Sequence, residues 1–278
     1  MSAKKHRKNL GSMLLFLLVV SAAMLTALVL VFLVGYILVK GVPWLRPELF
    51  AWKYTSENCS VVPALVNTVL MAALALLLAA PTGIFSAVYL VEYAGRGNRL
   101  VKVIRITAET LTGIPSIVYG LFGMLFFVTA LHWNYSLLAG AFTLAIMILP
   151  TILRTTEEAL LAVPDSYREG SFGLGAGRLR TVFRIVLPSA VPGILSGIVL
   201  ATGRIVGETA ALIYTAGSVA KLPKNLFSST RTLAVHMYSL SSEGLHINQA
   251  YATAVVLLVV VAAINAISSK LAGRIAKL

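Results

Sequence analysis

Two ionisable residues stand inside an otherwise apolar run. Arg204 and Glu208 are four residues apart between Ala190 and Ala216. On a helix that spacing puts both on one face, where they can pair. A charge within a membrane span is costly, about +2.5 to +3.5 kcal/mol for a central arginine on insertion scales, and usually functional. The guanidinium fork donates two parallel hydrogen bonds, a match for a tetrahedral oxyanion. Two readings stay open: a structural ion pair inside a bundle, or an anion site or gate. A second arginine, Arg154, closes another apolar run in the stretch Arg154-Thr155-Thr156-Glu157.

Other chemistry is poorly represented. The four histidines (6, 132, 236 and 246) show no metal-ligand spacing, and Cys59 is the single cysteine, so no disulfide forms within the chain. Gly170-Ser171-Phe172-Gly173-Leu174-Gly175 has the glycines of a phosphate loop, but Ala176 stands where its lysine should be. Gly173 and Gly175 follow no strand. If ATP drives this protein, another chain binds it. No catalytic residue, metal or cofactor is expected.

The elements that carry these residues read as a membrane path. Of the 278 residues 58% are hydrophobic and only 12% charged, with a mean hydropathy of +0.89. A soluble domain carries about 25% charged residues. Six runs are long enough to span a bilayer, which takes about 20 apolar residues. They are Ser12–Val39, Pro63–Val91, about Leu111–Leu131, about Tyr135–Leu153, about Ala190–Ala216 and about Tyr251–Ser269. The first is too long for the apolar core of a signal peptide. The short His132-Trp133-Asn134 link makes the third and fourth an antiparallel pair. With both termini cytoplasmic, sixteen Lys and Arg fall inside and six outside, as the positive-inside rule requires. The net charge of +13 is thereby explained without nucleic acid. Lys40–Val62 and Gly217–Ala250 form the longest outer segments. No duplicated half is visible. Gly193 with Gly197, and Gly203 with Gly207, are small-xxx-small spacings that suit either packing within the chain or contact with a second membrane chain.

The segment from Arg154 to Pro188 is the most informative. Helix-compatible sequence runs to Val163, and Pro164 resets it. Ser166 and Glu169 have the spacing of a capping box, opening a short helix that runs to Leu174. Gly175 suits a left-handed cap. In a second short helix Leu179, Val182, Phe183 and Val186 form one apolar stripe with Arg178, Arg180 and Arg184 off it. Pro188 is expected to separate it from the fifth span. The helix could lie on membrane lipid with its arginines toward phosphates, or dock a cytoplasmic partner.

Glu169, Gly175, Ile185, Leu187 and Pro188 reproduce the spacing Glu-x5-Gly-x9-Ile-x-Leu-Pro. The segment resembles the conserved cytoplasmic loop of binding-protein-dependent ABC importer permeases, with Gly170 and Ser171 where that family usually has two alanines. The resemblance implies coupling helices that insert into a cleft on the ATPase. Further stretches are Tyr89–Ala94, Ile114–Gly120, Arg154–Glu157 and Gly203-Arg204-Ile205-Val206-Gly207-Glu208-Thr209-Ala210. From about Val62 onward they resemble phosphate importer permeases of the PstA type. Sulfate and molybdate permeases tend to have Phe where Thr209 stands.

The resemblance implies an all-α polytopic membrane protein with six transmembrane helices and the type I ABC importer permease fold. Residues 1–61 would form the amino-terminal tail, first span and outer loop, 62–273 the permease domain, and 274–278 a cytoplasmic tail. It implies Arg204, Glu208 and Arg154 in the substrate path, and Glu169, Gly170, Ser171, Gly175, Ile185, Leu187 and Pro188 in ATPase coupling. The implied partners are a second permease of the PstC type, a cytoplasmic ATPase dimer and an extracytoplasmic phosphate-binding protein, in the cytoplasmic membrane. Sulfate, molybdate or phosphonate is the alternative cargo.

Overall fold

A computed structural model describes residues 10–95 and 97–275. Lys4, Lys5, Arg7, Lys8, Arg96 and Lys277, part of the basic asymmetry, lie outside them. Among the described residues the chain is all helix, without a strand. Five segments are long and apolar enough to cross a membrane: Gly11–Trp44, Val62–Tyr93, Leu137–Leu161, Arg178–Gly207 and Ile247–Lys270. Arg99–Thr112 and Ser116–Ala130 would together make a sixth, but they are bent by 103°.

That bend corrects the expected third span. Helix α3 (Arg99–Thr112) ends before Gly113, and α4 (Ser116–Gly123, continuing in a wide turn Met124–Ala130) begins after Pro115. Proline has no N–H to give and disfavours helix in the residue before it. The Tyr119 hydroxyl donates to the Leu111 carbonyl at 2.8 Å, covering one acceptor freed by the break. The α3 sequence Arg99-Leu100-Val101-Lys102-Val103-Ile104-Arg105 is amphipathic, unlike the apolar α4.

Helix α5 (Leu137–Leu161) is the hub. It packs against α2 (Val62–Val88), α3, α4, α8 (Leu187–Gly207) and α9 (Ala210–Thr215). Its buried Leu144, Ile148 and Ile152 meet Met71 and Ala75 of α2, Ala201 and Ile205 of α8 and Leu212 of α9. Ser136 caps its N-terminus, accepting from the Ala139 N–H at 3.1 Å. Pro164 follows its C-terminus, where a stop was expected. Helix α1 (Leu10–Gly41) packs on α11 (Ile247–Ile275) near its own C-terminus, where Tyr36 meets Tyr251 edge to face at 6.0 Å. Most of its apolar surface is exposed.

Helix α4 approaches α9 at backbone distance. A Cβ on Gly120 would sit 2.8 Å from Ala211 Cα and 3.2 Å from its carbonyl oxygen. Neither is a side-chain tip that can swing away. Gly120→Val should therefore lower thermal stability by about 1–3 kcal/mol, the usual cost of overpacking. Gly11→Ala, which meets nothing within 4 Å, should leave it unchanged. Equal melting temperatures for Gly120→Val and the parent would refute this contact.

Candidate substrate path and coupling segment

The Arg204–Glu208 pair is not present. Helix α8 ends at Gly207, and Glu208 is extended (φ −72°, ψ 128°), so the two side chains do not share a continuous helical face. Glu208 is buried and turns the other way, its Oε1 accepting from the Ala211 N–H at 3.1 Å. It thus covers one of the orphan donors that open α9. Arg204 is half-buried and makes no ion pair among the described residues. It lies within electrostatic reach of Tyr119, which is buried on α4. The structure thus joins two stretches far apart in sequence, Ile114–Gly120 and Gly203–Ala210, around one arginine.

Arg154 sits at another level. Helix α8 runs antiparallel along α5, with Gly193 against Ala159 and Gly197 against Thr155. Arg204 lies seven residues beyond Gly197, which at 1.5 Å per residue separates it from Arg154 by about 10 Å along the bundle. Arg154 is exposed and engaged: Nε is 3.1 Å from Glu158 Oε1, and Nη1 is 3.7 Å from Glu109 on α3. Next to it Arg105 of α3 pairs with Glu157 at 2.5 Å. These crossed pairs tie α3 to the end of α5. The first glycine pair, Gly193 and Gly197, thus packs within the chain, whereas Gly203 and Gly207 meet nothing within 4 Å.

The coupling segment departs from expectation in two places. Helix α6 (Asp165–Gly173) starts two residues early, with Pro164 rather than Ser166 at its N-cap and no side-chain cap. Ser166 is thereby inside the first turn, and the capping box with Glu169 does not form. Helix α7 (Arg178–Thr181) continues through a wide turn, Val182–Val186, directly into α8. Pro188 does not separate them. The Leu187 N–H bonds to the Val182 carbonyl, one residue further back than in an α-helix. The ladder widens just before the residue that has no N–H to supply.

The remaining anchors are placed as follows. Gly175 is left-handed (φ +80°). Its N–H donates to Phe172 O at 2.9 Å and that of Ala176 to Ser171 O at 3.1 Å, a complete Schellman closure of α6. Ser171 and Thr181, both buried, are joined through their hydroxyls at 2.8 Å, stapling α6 to α7. Glu169 and Gly170 are exposed, Ile185 and Leu187 half-buried, and Pro188 exposed. Of the apolar stripe, Val182 and Val186 are buried against Val88 and Leu160, while Leu179 and Phe183 stay exposed beside Leu174. The segment shows solvent an apolar surface framed by Arg178, Arg180 and Arg184.

One junction escapes sequence reasoning. Arg168 donates to Glu92 Oε1 through Nη2 at 2.8 Å and Nε at 3.1 Å, across 76 residues, with both side chains largely buried. It also donates to the carbonyls of Leu160 (2.9 Å) and Val163 (2.8 Å) and to Asp165 (3.1 Å). One guanidinium welds the ends of α2 and α5 to α6. The one signal was Glu92 within the Tyr89–Ala94 stretch.

Two substitutions separate these roles. Glu208→Ala removes the acceptor at α9 and should cost about 1 kcal/mol of stability, as lost caps do. Glu208→Gln keeps an oxygen there and should melt close to the parent. Equal losses from both would mean that charge matters rather than the cap. Gly175→Val strains a left-handed position. It should weaken capture of the ATPase subunit in a pull-down from detergent extracts while the protein still inserts; undiminished capture would contradict the placement of α7 by this turn.

The chain matches the family model described as "Binding-protein-dependent transport system inner membrane component" over residues 79–277. It is 35% identical over 238 residues to "Probable ABC transporter permease protein YqgI" of Bacillus subtilis, covering 80% of this chain and 81% of that one. It is 36% identical over 248 residues to "Phosphate transport system permease protein PstA 1" of Mycobacterium tuberculosis, covering 85% and 80%. Among solved structures, a bacterial ABC transporter involved in the import of alginate superposes with a TM-score of 0.66 at 16% identity, over 92% of this chain and 95% of that one. The MetNI methionine ABC transporter in an inward-facing conformation gives 0.60 at 19% identity, over 77% and 94%. Together with the bent third span, the helical coupling segment and the extent of the family match, these likenesses make the chain a member of the binding-protein-dependent transport system inner membrane component family, an all-helical, multi-pass inner-membrane ABC permease whose ATPase is a separate subunit.

Proposed function

We propose that the chain is a PstA-type subunit of an importer that moves inorganic phosphate across the cytoplasmic membrane. The observation that carries this reading is Arg204, a half-buried guanidinium in a spanning helix without an ion-pair partner among the described residues. Such a fork is free to take a tetrahedral oxyanion bidentately. The relatives named as phosphate permeases support the same cargo.

In this reading both termini and residues 154–188 face the cytoplasm. The α6–α7 surface docks a cytoplasmic ATPase dimer through Glu169, Gly170, Gly175, Ile185, Leu187 and Pro188, with Leu174 and Leu179 as apolar contacts and buried Ser171 holding α6 to α7 beneath them. A PstC-type permease packs beside this chain, and the open Gly203–Gly207 edge offers a close-approach surface. An extracytoplasmic phosphate-binding protein delivers cargo to the opposite end. ATP binding closes the ATPase dimer and moves α6 and α7. Because Arg168 ties α6 to the ends of α2 and α5, the motion reaches both spans at once. The bundle then opens outward, Arg204 meets phosphate, and hydrolysis resets it. Arg154 and Glu208 contribute by position: Arg154 through its crossed pairs at the lower level, Glu208 by holding the turn that presents Arg204.

Uptake of radiolabelled phosphate by cells carrying the assembled importer tests this. Arg204→Gln should lower it about ten- to a hundredfold, the effect of losing charge-assisted hydrogen bonds at roughly 1.5–3 kcal/mol. Arg204→Lys should rescue poorly, because a point charge lacks the fork. Parental uptake by Arg204→Gln would overturn the role of Arg204. Uptake of sulfate in preference to phosphate by the parent would overturn the cargo.

A further inference from the structure

At the end of the bundle away from α6 and α7, a cluster of buried polar groups plays no part in the mechanism above. Arg231 precedes helix α10 (Leu233–Glu243) and is 5% exposed. Its Nε and Nη2 are buried without a hydrogen-bond partner. Among the described residues no carboxylate pairs with it. Thr230 Oγ1, Thr232 Oγ1, His236 Nδ1 and Asn67 Oδ1 are also buried and unpartnered. Asn67 belongs to the same cluster, since its Nδ2 donates to the Arg231 carbonyl at 3.2 Å. Thr232 stands at the N-cap of α10, yet its hydroxyl caps nothing. Six of the seven such orphan atoms found among the described residues thus fall in one place.

A guanidinium cannot shed its proton. Buried without a partner, it keeps its charge in a poor dielectric. Glu243, within electrostatic reach of Cys59, makes no ion pair with Arg231. His236 is lowered to about 3, by burial and then by Arg231, and stays neutral, its Nε2 donating to the Cys59 carbonyl at 3.2 Å. Tyr54 lies against the guanidinium, 4.6 Å from ring centroid to Cζ. Cation–π attraction of that kind compensates only part of the desolvation. The same Tyr54 lines a cavity of about 380 Å³ whose wall also holds Lys53 and Lys221. Two cations in its lining raise the local concentration of anions.

We propose that Arg231 is the centre of a second oxyanion subsite at the outer end of the chain, with Tyr54 as its movable cover, taking a small inorganic oxyanion before it reaches the bundle. Arg231 Nε and Nη2 donate to it, and the threonine hydroxyls and Lys53 and Lys221 complete its donors. The neutral His236 Nδ1 and Asn67 Oδ1 are acceptors, so the site favours an oxyanion that still carries a proton. The inference rests on these orphaned groups and does not require Arg204 to act on the same ion.

Cys59 reports on the site directly. It is the only cysteine of the chain, fully buried, and its carbonyl belongs to the cluster. The test is the rate of maleimide labelling of Cys59 in the assembled importer, purified in phospholipid-free detergent with gluconate as the background anion. Adding inorganic phosphate at ten times its dissociation constant should slow labelling about tenfold, because occupancy suppresses local opening by that ratio. The protection should persist in Arg204→Gln, which separates this site from the substrate path, and vanish in Arg231→Met. Arg231→Met should label no faster than the parent in gluconate, since losing an unpartnered buried charge does not loosen the cluster; Arg231→Lys should keep partial protection. Unchanged labelling of the parent in phosphate would overturn the proposal, as would protection that survives Arg231→Met. So would protection that requires the binding protein or an anionic lipid with none from inorganic phosphate, which would give the guanidinium to a partner carboxylate or a headgroup.

Discussion

The bilayer interior offers no water to an exposed N–H or C=O, so every break in a spanning helix must bring its own hydrogen-bond partners. Much of this structure follows from that constraint. At Pro115 the chain bends by 103°, and the Tyr119 hydroxyl takes up the Leu111 carbonyl. At Pro188 the helix survives by widening one turn, so that Leu187 reaches back to Val182 just before the missing donor. At Glu208 the helix stops, and the carboxylate itself accepts the Ala211 N–H. Each break is satisfied locally, and each shapes the chain: a kink between α3 and α4, a continuous rod from α7 into α8, and Arg204 left without an ion pair among the described residues.

The same logic orders the coupling end. Arg168 spends its donors on two carbonyls at the end of α5, on Glu92 and on Asp165. It closes the terminus of one span while fastening another to it. Ser171 with Thr181, and the left-handed Gly175, then fix the angle between α6 and α7. What stays exposed is apolar and basic, a surface suited to a partner rather than to solvent alone. Rigid joints behind an exposed face let a push on that face reach α2 and α5 without being absorbed locally.

Much of this was legible in sequence, and the failures have physical causes. Apolar length located the spans, because burial in lipid leaves few alternatives for 20 apolar residues. Gly175 was legible because a left-handed cap leaves a local signature. The break at Glu208 was not, since Gly-Glu-Thr-Ala is compatible with a helix, and the contacts that accompany the break, Glu208 on the Ala211 N–H and Ala211 on Gly120, are tertiary or made only once the chain has turned. The capping box failed because the helix starts on Pro164, two residues before Ser166. Pro188 was expected to separate two helices, but a wide turn kept them continuous. Arg168 with Glu92 could not be found by local spacing at all, being a tertiary contact across 76 residues.

The central claim is that Glu208 serves the backbone and thereby leaves Arg204 free for cargo. A double-mutant cycle on these two residues, read by thermal unfolding of the assembled importer, measures their coupling directly. With Arg204→Gln and Glu208→Ala, the account predicts additive effects, an interaction within about 0.5 kcal/mol. A coupling of about 1 kcal/mol or more, with the double variant less impaired than the sum of the singles, would show an ion pair and contradict it.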